Sequence, residues 1–206
     1  MPEGFDIQSL SDPAARKRKN AILSETIDPI DPYRTQKVSD LVEAYAGASI
    51  QARRIGQCAD VLRAMLTDPD RPTVLLGLAG PLIAAGLRKV IRAMIVERLV
   101  DVVVSTGAIL YQDYYQACGG SHWRGNPDDD DAKLRDLLIN RIYDTYVDEE
   151  LFGKFDTKIA KHAWDMKPGT YSTRQFLDSL AGTVDDDDSI LAACRRPILV
   201  VDVRRN

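Results

Sequence analysis

TVLLGLAGPLIAAGLRKVI, residues 73–91, runs from a β-branched apolar stretch through three glycines into an amphipathic segment. Its reading decides the fold. TVLLGL (73–78) predicts a strand, and PLIAAGLRKVIRAMIVERL (81–99) predicts a helix with Pro81 near its first turn, where a missing N–H costs little. VDVVVST (100–106) predicts a second buried strand, and AILYQDYYQAC (108–118) a second helix. Strands alternating with helices indicate an α/β fold with a doubly wound, mainly parallel sheet.

Working outward, GGSHWRGNPDDDD (119–131) reads as a loop and AKLRDLLI (132–139) as a short helix. NRIYDTYV (140–147) reads as a third, edge-like strand. DEELFGKFDTKIAKHAWDM (148–166) is helical in pattern, STRQFLDSLAGTV (172–184) predicts a helix capped by Ser172, and DSILAACRR (188–196) leads into PILVVDV (197–203), a final buried strand. That strand has no following helix to cover its second face, so an edge position or a covering partner chain is expected. Toward the other end, Val38, Leu41, Val42 and Tyr45 share one helical face. A second helix carries Ile50, Cys58, Val61, Leu62, Met65 and Leu66, and TDPDRP (67–72) ends it. Residues 1–34 are polar, with Pro2, Pro13, Pro29 and Pro32, and read as an extended arm before a domain spanning 35–206. Its basic cluster, Arg16 to Lys19, reads as solvated surface.

Composition narrows the function classes. The 206 residues are 45% apolar and carry a formal charge of −4, which disfavours nucleic acid as a partner and fits a cationic substrate. Cys58, Cys118 and Cys194 are odd in number and widely spaced, which predicts reduced, buried thiols in a cytoplasmic protein. The N-terminus lacks a signal-peptide pattern. No apolar run approaches the roughly 20 residues that cross a bilayer.

The glycines at 77, 80 and 86 form neither G-x-G-x-x-G nor a Walker A loop. The second strand ends in Ser105 and Thr106, not in the acid that ordinarily holds a ribose. Two readings stay open at this point: a tight packing turn, or a turn whose backbone N–H groups and helix dipole face a phosphate. Ligands in open parallel sheets sit beyond the carboxyl ends of the strands. Gly77, Gly80, Ser105, Thr106 and Gly107 are placed there, and Asp113 is either within reach of that crevice or an acid complementing the helix dipole. The runs Asp128–Asp131 and Asp185–Asp188 lack the loop spacing of a calcium site, and Asp131 and Asp188 are expected to cap helices. His122 and His162 have no metal-ligand spacing, and no nucleophile with a base partner is visible. Neither a catalytic residue nor a metal ligand is assigned.

Taken in order, ETIDPIDPYRTQKVSDLVEAYAGASIQARRIGQCADVLRAML (25–66), VLLGLAGPLIAAGLRKVIRAMIVERLVDVVVSTGAILYQD (74–113), INRIYDTYV (139–147) and DSILAACRRPILVV (188–201) resemble the deoxyhypusine synthase family. The likeness extends from about residue 24 to the end and is strongest to the archaeal and bacterial branch. It implies a Rossmann-like fold and an NAD-dependent reaction. In that reaction spermidine is oxidised, its aminobutyl group is carried as an imine on an enzyme lysine, and the group passes to a lysine of a translation factor. A homospermidine-synthase-like polyamine reaction is an alternative implied by bacterial relatives. The resemblance assigns NAD contacts to Gly77, Gly80, Ser105, Thr106, Gly107, Ala108 and Asp113. Gly80, Pro81 and Ala84 stand where serine and asparagine are common, and Gln112 where relatives carry glutamate or histidine. A lysine-bearing segment resembling SDEAxSWGK is absent, since neither Trp123 nor Trp164 is followed by Gly-Lys. The expectation is therefore an apparently truncated, amino-terminal portion of the family's protein, in a homo- or hetero-oligomer. It would be half of an active site completed by a second chain, an inactive regulatory relative, or a truncated product.

Overall fold

The computed structural model describes residues 10–195, so the expected final strand at 197–203 lies outside the described residues. The chain divides between Arg71 and Pro72 into two units, not at residue 34.

The first unit is helical. Helix α1 (Pro13–Ile22) occupies part of the region read as an extended arm. Asp12 caps it, accepting from the N–H of Ala14 at 3.0 Å and Ala15 at 3.2 Å, and Pro13 follows at the first position, where proline fits. Helices α2 (Val38–Gly47) and α3 (Ile50–Thr67) form a hairpin. Gly56 lets them approach closely, because a Cβ there would lie 2.4 Å from the Ala46 nitrogen. Cys58, expected to be buried, is exposed on α3.

The second unit carries the strand and helix alternation. Strands β1 (Leu75–Leu78) and β2 (Val102–Ser105) pair in parallel, with Gly77 opposite Val104 and Leu78 opposite Ser105. Between them lies α4 (Arg88–Val96), which starts seven residues later than the expected Pro81. Gly80 and Gly86 both take φ +82°, a left-handed conformation that interrupts a helix and favours glycine. Residues 79–87 therefore form a loop across the carboxyl end of β1. Helix α5 (Gly107–Ala117) follows β2 after a single residue, Thr106.

NRIYDTYV does not add a third strand to the parallel pair. It folds into β4 (Ile139–Ile142) and β5 (Thr145–Asp148), an antiparallel hairpin turning at Tyr143 and Asp144. β5 also pairs with the short β3 (Trp123–Arg124), giving a separate three-stranded sheet. Helix α6 (Asp131–Asp136) precedes the hairpin and is capped by Asp130, one residue before the expected Asp131. Helix α7 (Glu149–Asp165) is capped by Asp148. Helix α8 (Thr173–Ala181) begins with the expected Ser172 cap, whose reciprocal partner is Gln175. Helix α9 (Ile190–Arg195) ends the described chain.

Two apolar layers hold this unit. Ile91 and Ile95 of α4, Val102 and Val103 of β2, and Ile109 of α5 are buried, as the amphipathic pattern of α4 requires. Tyr114 and Tyr115 on α5 join Val147, Phe155, Leu180, Ala181 and Leu191 in a second cluster. The Tyr115 ring stacks on Phe152 at 4.7 Å and meets Phe155 edge-on at 5.5 Å. Helix α5 buries Ile109 in its first turn and Tyr114 and Tyr115 further along, so it is held by packing along its length.

Candidate functional site at the carboxyl edge of the parallel strands

Small residues gather where β1 and β2 end. Gly77, Gly80, Thr106, Gly107 and Ala108 are exposed and Ser105 is half-buried. A Cβ added at Gly77, Gly80 or Gly107 would meet nothing within 4 Å, so close packing does not explain these glycines. They border open space, as backbone that must admit a ligand does. The Thr106 N–H donates to the Leu78 carbonyl at 3.2 Å and ties the two strand ends together. The Ser105 hydroxyl donates to the Thr106 carbonyl at 3.1 Å. Thr106 occupies the cap position of α5 without a side-chain capping bond, which leaves the first-turn N–H groups and the positive end of the helix dipole facing outward.

The loop after β1 is tied to α5. It is pinned by Gln112, whose Oε1 accepts from the Ala84 N–H at 3.3 Å. Gln112 is buried on α5, one turn beyond Ala108 and on the same face of the helix.

Asp113 takes a different place from either one expected for it. It is fully buried in the second turn of α5, not poised at the crevice. One carboxylate oxygen accepts from Arg88 Nε at 2.7 Å and the Ile190 N–H at 3.1 Å. The other accepts from the Ser189 hydroxyl at 2.8 Å and the Leu191 N–H at 2.9 Å. Four donors fill the four acceptor positions of a carboxylate, leaving none for a ligand. Asp113 thus satisfies N–H groups at the start of α9 and joins α9 to α4 and α5. Arg88 also pairs with Asp186 at 2.8 Å. Burial alone would lower the Arg88 pKa, but the hydrogen bonds and charges of Asp113 and Asp186 outweigh it and hold the pKa above its ordinary value.

The second acidic run therefore grips α4. Asp186 binds Arg88, the Asp187 carbonyl accepts from Arg92 Nε at 3.0 Å, and Asp188 pairs with Lys89 at 2.9 Å. The Lys89 hydrogen bond keeps Asp188 below the usual carboxylate range. Ser189, not Asp188, caps α9, its hydroxyl oxygen accepting from the Ala192 N–H at 3.1 Å. In the first run, Asp129 binds the Tyr146 hydroxyl and Asp131 pairs with Arg141 at 2.7 Å. Among the described residues, no group of three or more His, Cys, Asp or Glu could hold a metal, and no helix is long and apolar enough to cross a membrane. Burial and the Asp113 charge push the Cys194 thiol up to about 11, so it stays protonated. Both ring nitrogens of His122 are sealed from solvent without a hydrogen-bond partner, and its ring meets Tyr115 edge-on at 5.6 Å. Burial, then the Arg88 charge, lowers its pKa.

The structure thus brings Gly77, Ser105, Thr106, Gly107 and Ala108 to one edge, places Gly80 in the adjoining loop, and puts Asp113 behind them. Gln112, Arg88 and Ser189 have structural roles there that spacing did not single out. Gln112 was noted only as a departure from the family pattern. The partners of Asp113 lie 25 and 76 to 78 residues away, beyond any local signal.

Comparison with known proteins shows the family of the chain. The family model described as deoxyhypusine synthase matches residues 40–201. A deoxyhypusine synthase-like protein of Chlorobaculum tepidum is 41% identical over 170 residues, 82% of this chain and 48% of the relative. A protein of Archaeoglobus fulgidus named "Probable deoxyhypusine synthase 2" is 37% identical over 150 residues, 72% of this chain and 50% of the relative. The crystal structure of a candidate deoxyhypusine synthase from Entamoeba histolytica superposes with a TM-score of 0.59 at 17% identity, covering 85% of this chain and 61% of that one, a likeness of fold. The chain spans about half the length of the curated relatives it matches. Across most of its length, through both strand-end loops and the Asp113 to α9 network, it belongs to the deoxyhypusine synthase family.

Proposed function

We propose that the carboxyl edge of β1 and β2 holds NAD, and that this chain provides the cofactor-holding portion of a deoxyhypusine-synthase-like site. The observation that carries the reading is the open space beside Gly77, Gly80 and Gly107, next to an α5 N-terminus with no side-chain cap. The donor set fits such a group. The N–H groups of Gly107 and Ala108, with the helix dipole, suit its phosphate oxygens. The Ser105 and Thr106 hydroxyls replace the acid usual at this strand end. Gly77 and Gly80 allow close approach of backbone to ligand. Bound NAD would supply a hydride acceptor for polyamine oxidation.

Within that reading the chain's residues bind and orient. The pin from Gln112 to Ala84 sets the width of the crevice, and Asp113 with Arg88 fixes the helices that flank it. The family reaction passes the aminobutyl group of spermidine to a lysine of a translation factor. Because the chain spans about half of its relatives' length, we assign it the cofactor part and place the imine-forming lysine outside the residues it shares with them. A cytoplasmic oligomer is the setting this reading implies.

The test is thermal unfolding with increasing NAD, on the parent chain and on Gly107→Val. A ligand bound to the native state stabilises it by about 2.7 kcal/mol at a hundredfold excess over Kd. The parent is expected to show a rise that grows with NAD concentration. Gly107→Val is expected to fold, since its Cβ meets nothing, and to lose that rise. Absence of stabilisation in the parent, or an equal rise in the variant, would overturn the assignment.

A further inference from the structure

We infer that two copies of this chain exchange helix α2: the turn between α2 and α3 opens into one continuous helix, and α2 of each copy packs on α3 of the other. The inference is independent of the cofactor reading. Closed, the turn is strained. Only Ala48 and Ser49 separate Gly47, the last residue of α2, from Ile50, the first of α3. Ile50 takes φ +55°, a left-handed conformation that a β-branched residue avoids, and it is 75% exposed, so packing does not offset the strain. Ser49 stands at the cap position of α3 without a side-chain hydrogen bond, which leaves the first-turn N–H groups without that partner. Opening relieves both. With residues 48–50 helical, Ile50 returns to the right-handed region, and the N–H groups of Ile50, Gln51 and Ala52 reach the carbonyls of Ala46, Gly47 and Ala48.

The same surfaces hold α2 in either arrangement. Two opened chains laid antiparallel about a twofold axis rebuild both hairpin interfaces, each α2 taking the place of the other. The close approach at Gly56, where an added Cβ would lie 2.8 Å from the Ala46 Cβ, selects this occupant, because it admits only a helix with a small residue at that height. No residue of α2 is fully buried, and Leu41, Val42 and Tyr45 are half-buried, so its release uncovers little apolar surface. Helix α2 carries its own start, since the Lys37 N–H donates to the Asp40 carboxylate at 3.0 Å, and it can move as a unit. The bonds that keep the turn closed lie at the turn itself. The Asp28 N–H donates to the Gly47 carbonyl at 2.9 Å, and Arg53 Nε to the Ala48 carbonyl at 2.8 Å. In the open helix these two carbonyls accept from the Gln51 and Ala52 N–H groups instead. Ala46, Gly47, Ala48 and Ser49 are small, so the two opened turns can meet at the twofold axis.

Sedimentation equilibrium of the full chain, with the parent beside Ile50→Gly and Ile50→Asn, reads the exchange. The parent is expected to form a dimer as its concentration rises. Glycine and asparagine both tolerate a left-handed backbone, so each relieves the closed turn. Relief in both closed chains corresponds to at least about tenfold in Kd, and both variants are expected to dimerise that much more weakly. Circular dichroism checks that each variant folds, and if Ile50→Gly does not, Ile50→Asn decides. Mixing isotopically labelled with unlabelled chains then locates the contact: a nuclear Overhauser effect between the Ala46 methyl and the Gly56 α-protons is expected between chains in the dimer. A parent that stays monomeric at millimolar concentration would overturn the inference. So would an Ala46 to Gly56 contact found within each chain of the dimer, or folded variants that dimerise as strongly as the parent.

Discussion

Removing the Asp113 carboxylate should destabilise the second unit more than any other single polar deletion at the site. In Asp113→Ala, four donors lose their acceptor at once: Arg88 Nε, the Ser189 hydroxyl, and the N–H groups of Ile190 and Leu191. Arg88 keeps Asp186, and the Ser189 hydroxyl can rotate, but the two backbone N–H groups have no such recourse. Breaking a buried charge pair costs about 3–5 kcal/mol, and the separate hydrogen bonds are not additive on top of it. For a chain of this size each kcal/mol shifts Tm by about 2–4 °C, so the expected loss is roughly 6–20 °C. Lys89→Ala, which breaks the exposed pair with Asp188, serves as the comparison and should cost less than about 1 kcal/mol. Differential scanning calorimetry of both variants without ligand is the assay. An Asp113→Ala protein melting within about 2 °C of the parent would refute the Asp113 network as the fastening of α9.

Two further outcomes follow from the site. The folded-state pKa of His122 lies below the ordinary 6.5, so above that value both states are neutral and its contribution is fully present. As pH falls through 6.5 toward the lowered value, the unfolded chain takes up a proton that the folded chain resists, and stability is lost. The groups facing the ring are Tyr115 and the Arg88 charge. His122→Leu should flatten the acid limb of stability measured by urea unfolding, whereas equal slopes in parent and variant would contradict the assignment. Separately, we propose that the spermidine-binding acids as well as the imine-forming lysine belong to the part of the relatives that this chain does not span, so the purified chain with NAD and spermidine is expected to form no NADH. Spermidine-dependent growth of NADH absorbance would contradict that division of labour.

The alternation of β1, α4, β2 and α5 was legible because β-branched runs and amphipathic periods are local signals. The start of α4 was not, since its apolar period continues back to Pro81 while Gly80 and Gly86 turn the backbone left-handed. The hairpin at 139–148 escaped for a related reason. Tyr143 takes φ +56°, a conformation ordinarily signalled by glycine or asparagine. The cap at 130 was displaced by one residue because a run of four aspartates looks alike at each position, and the cap at 189 because Asp188 and Ser189 are both good capping residues and Asp188 pairs with Lys89 instead. At the site, Gly77 and residues 105–108 were readable from their place at strand ends and from the family likeness. The commitment of Asp113 to α9 depends on tertiary packing, and so does the hold of Gln112 on Ala84. The open space beside the glycines is a property of the folded chain that no spacing rule reports.

Titration of isotopically labelled chain with NAD, followed by backbone amide resonances, tests the central claim most directly. The account expects saturable shifts concentrated at Gly77, Gly80, Thr106, Gly107 and Ala108. No saturable shifts, or shifts confined to residues away from the carboxyl edge of β1 and β2, would contradict it.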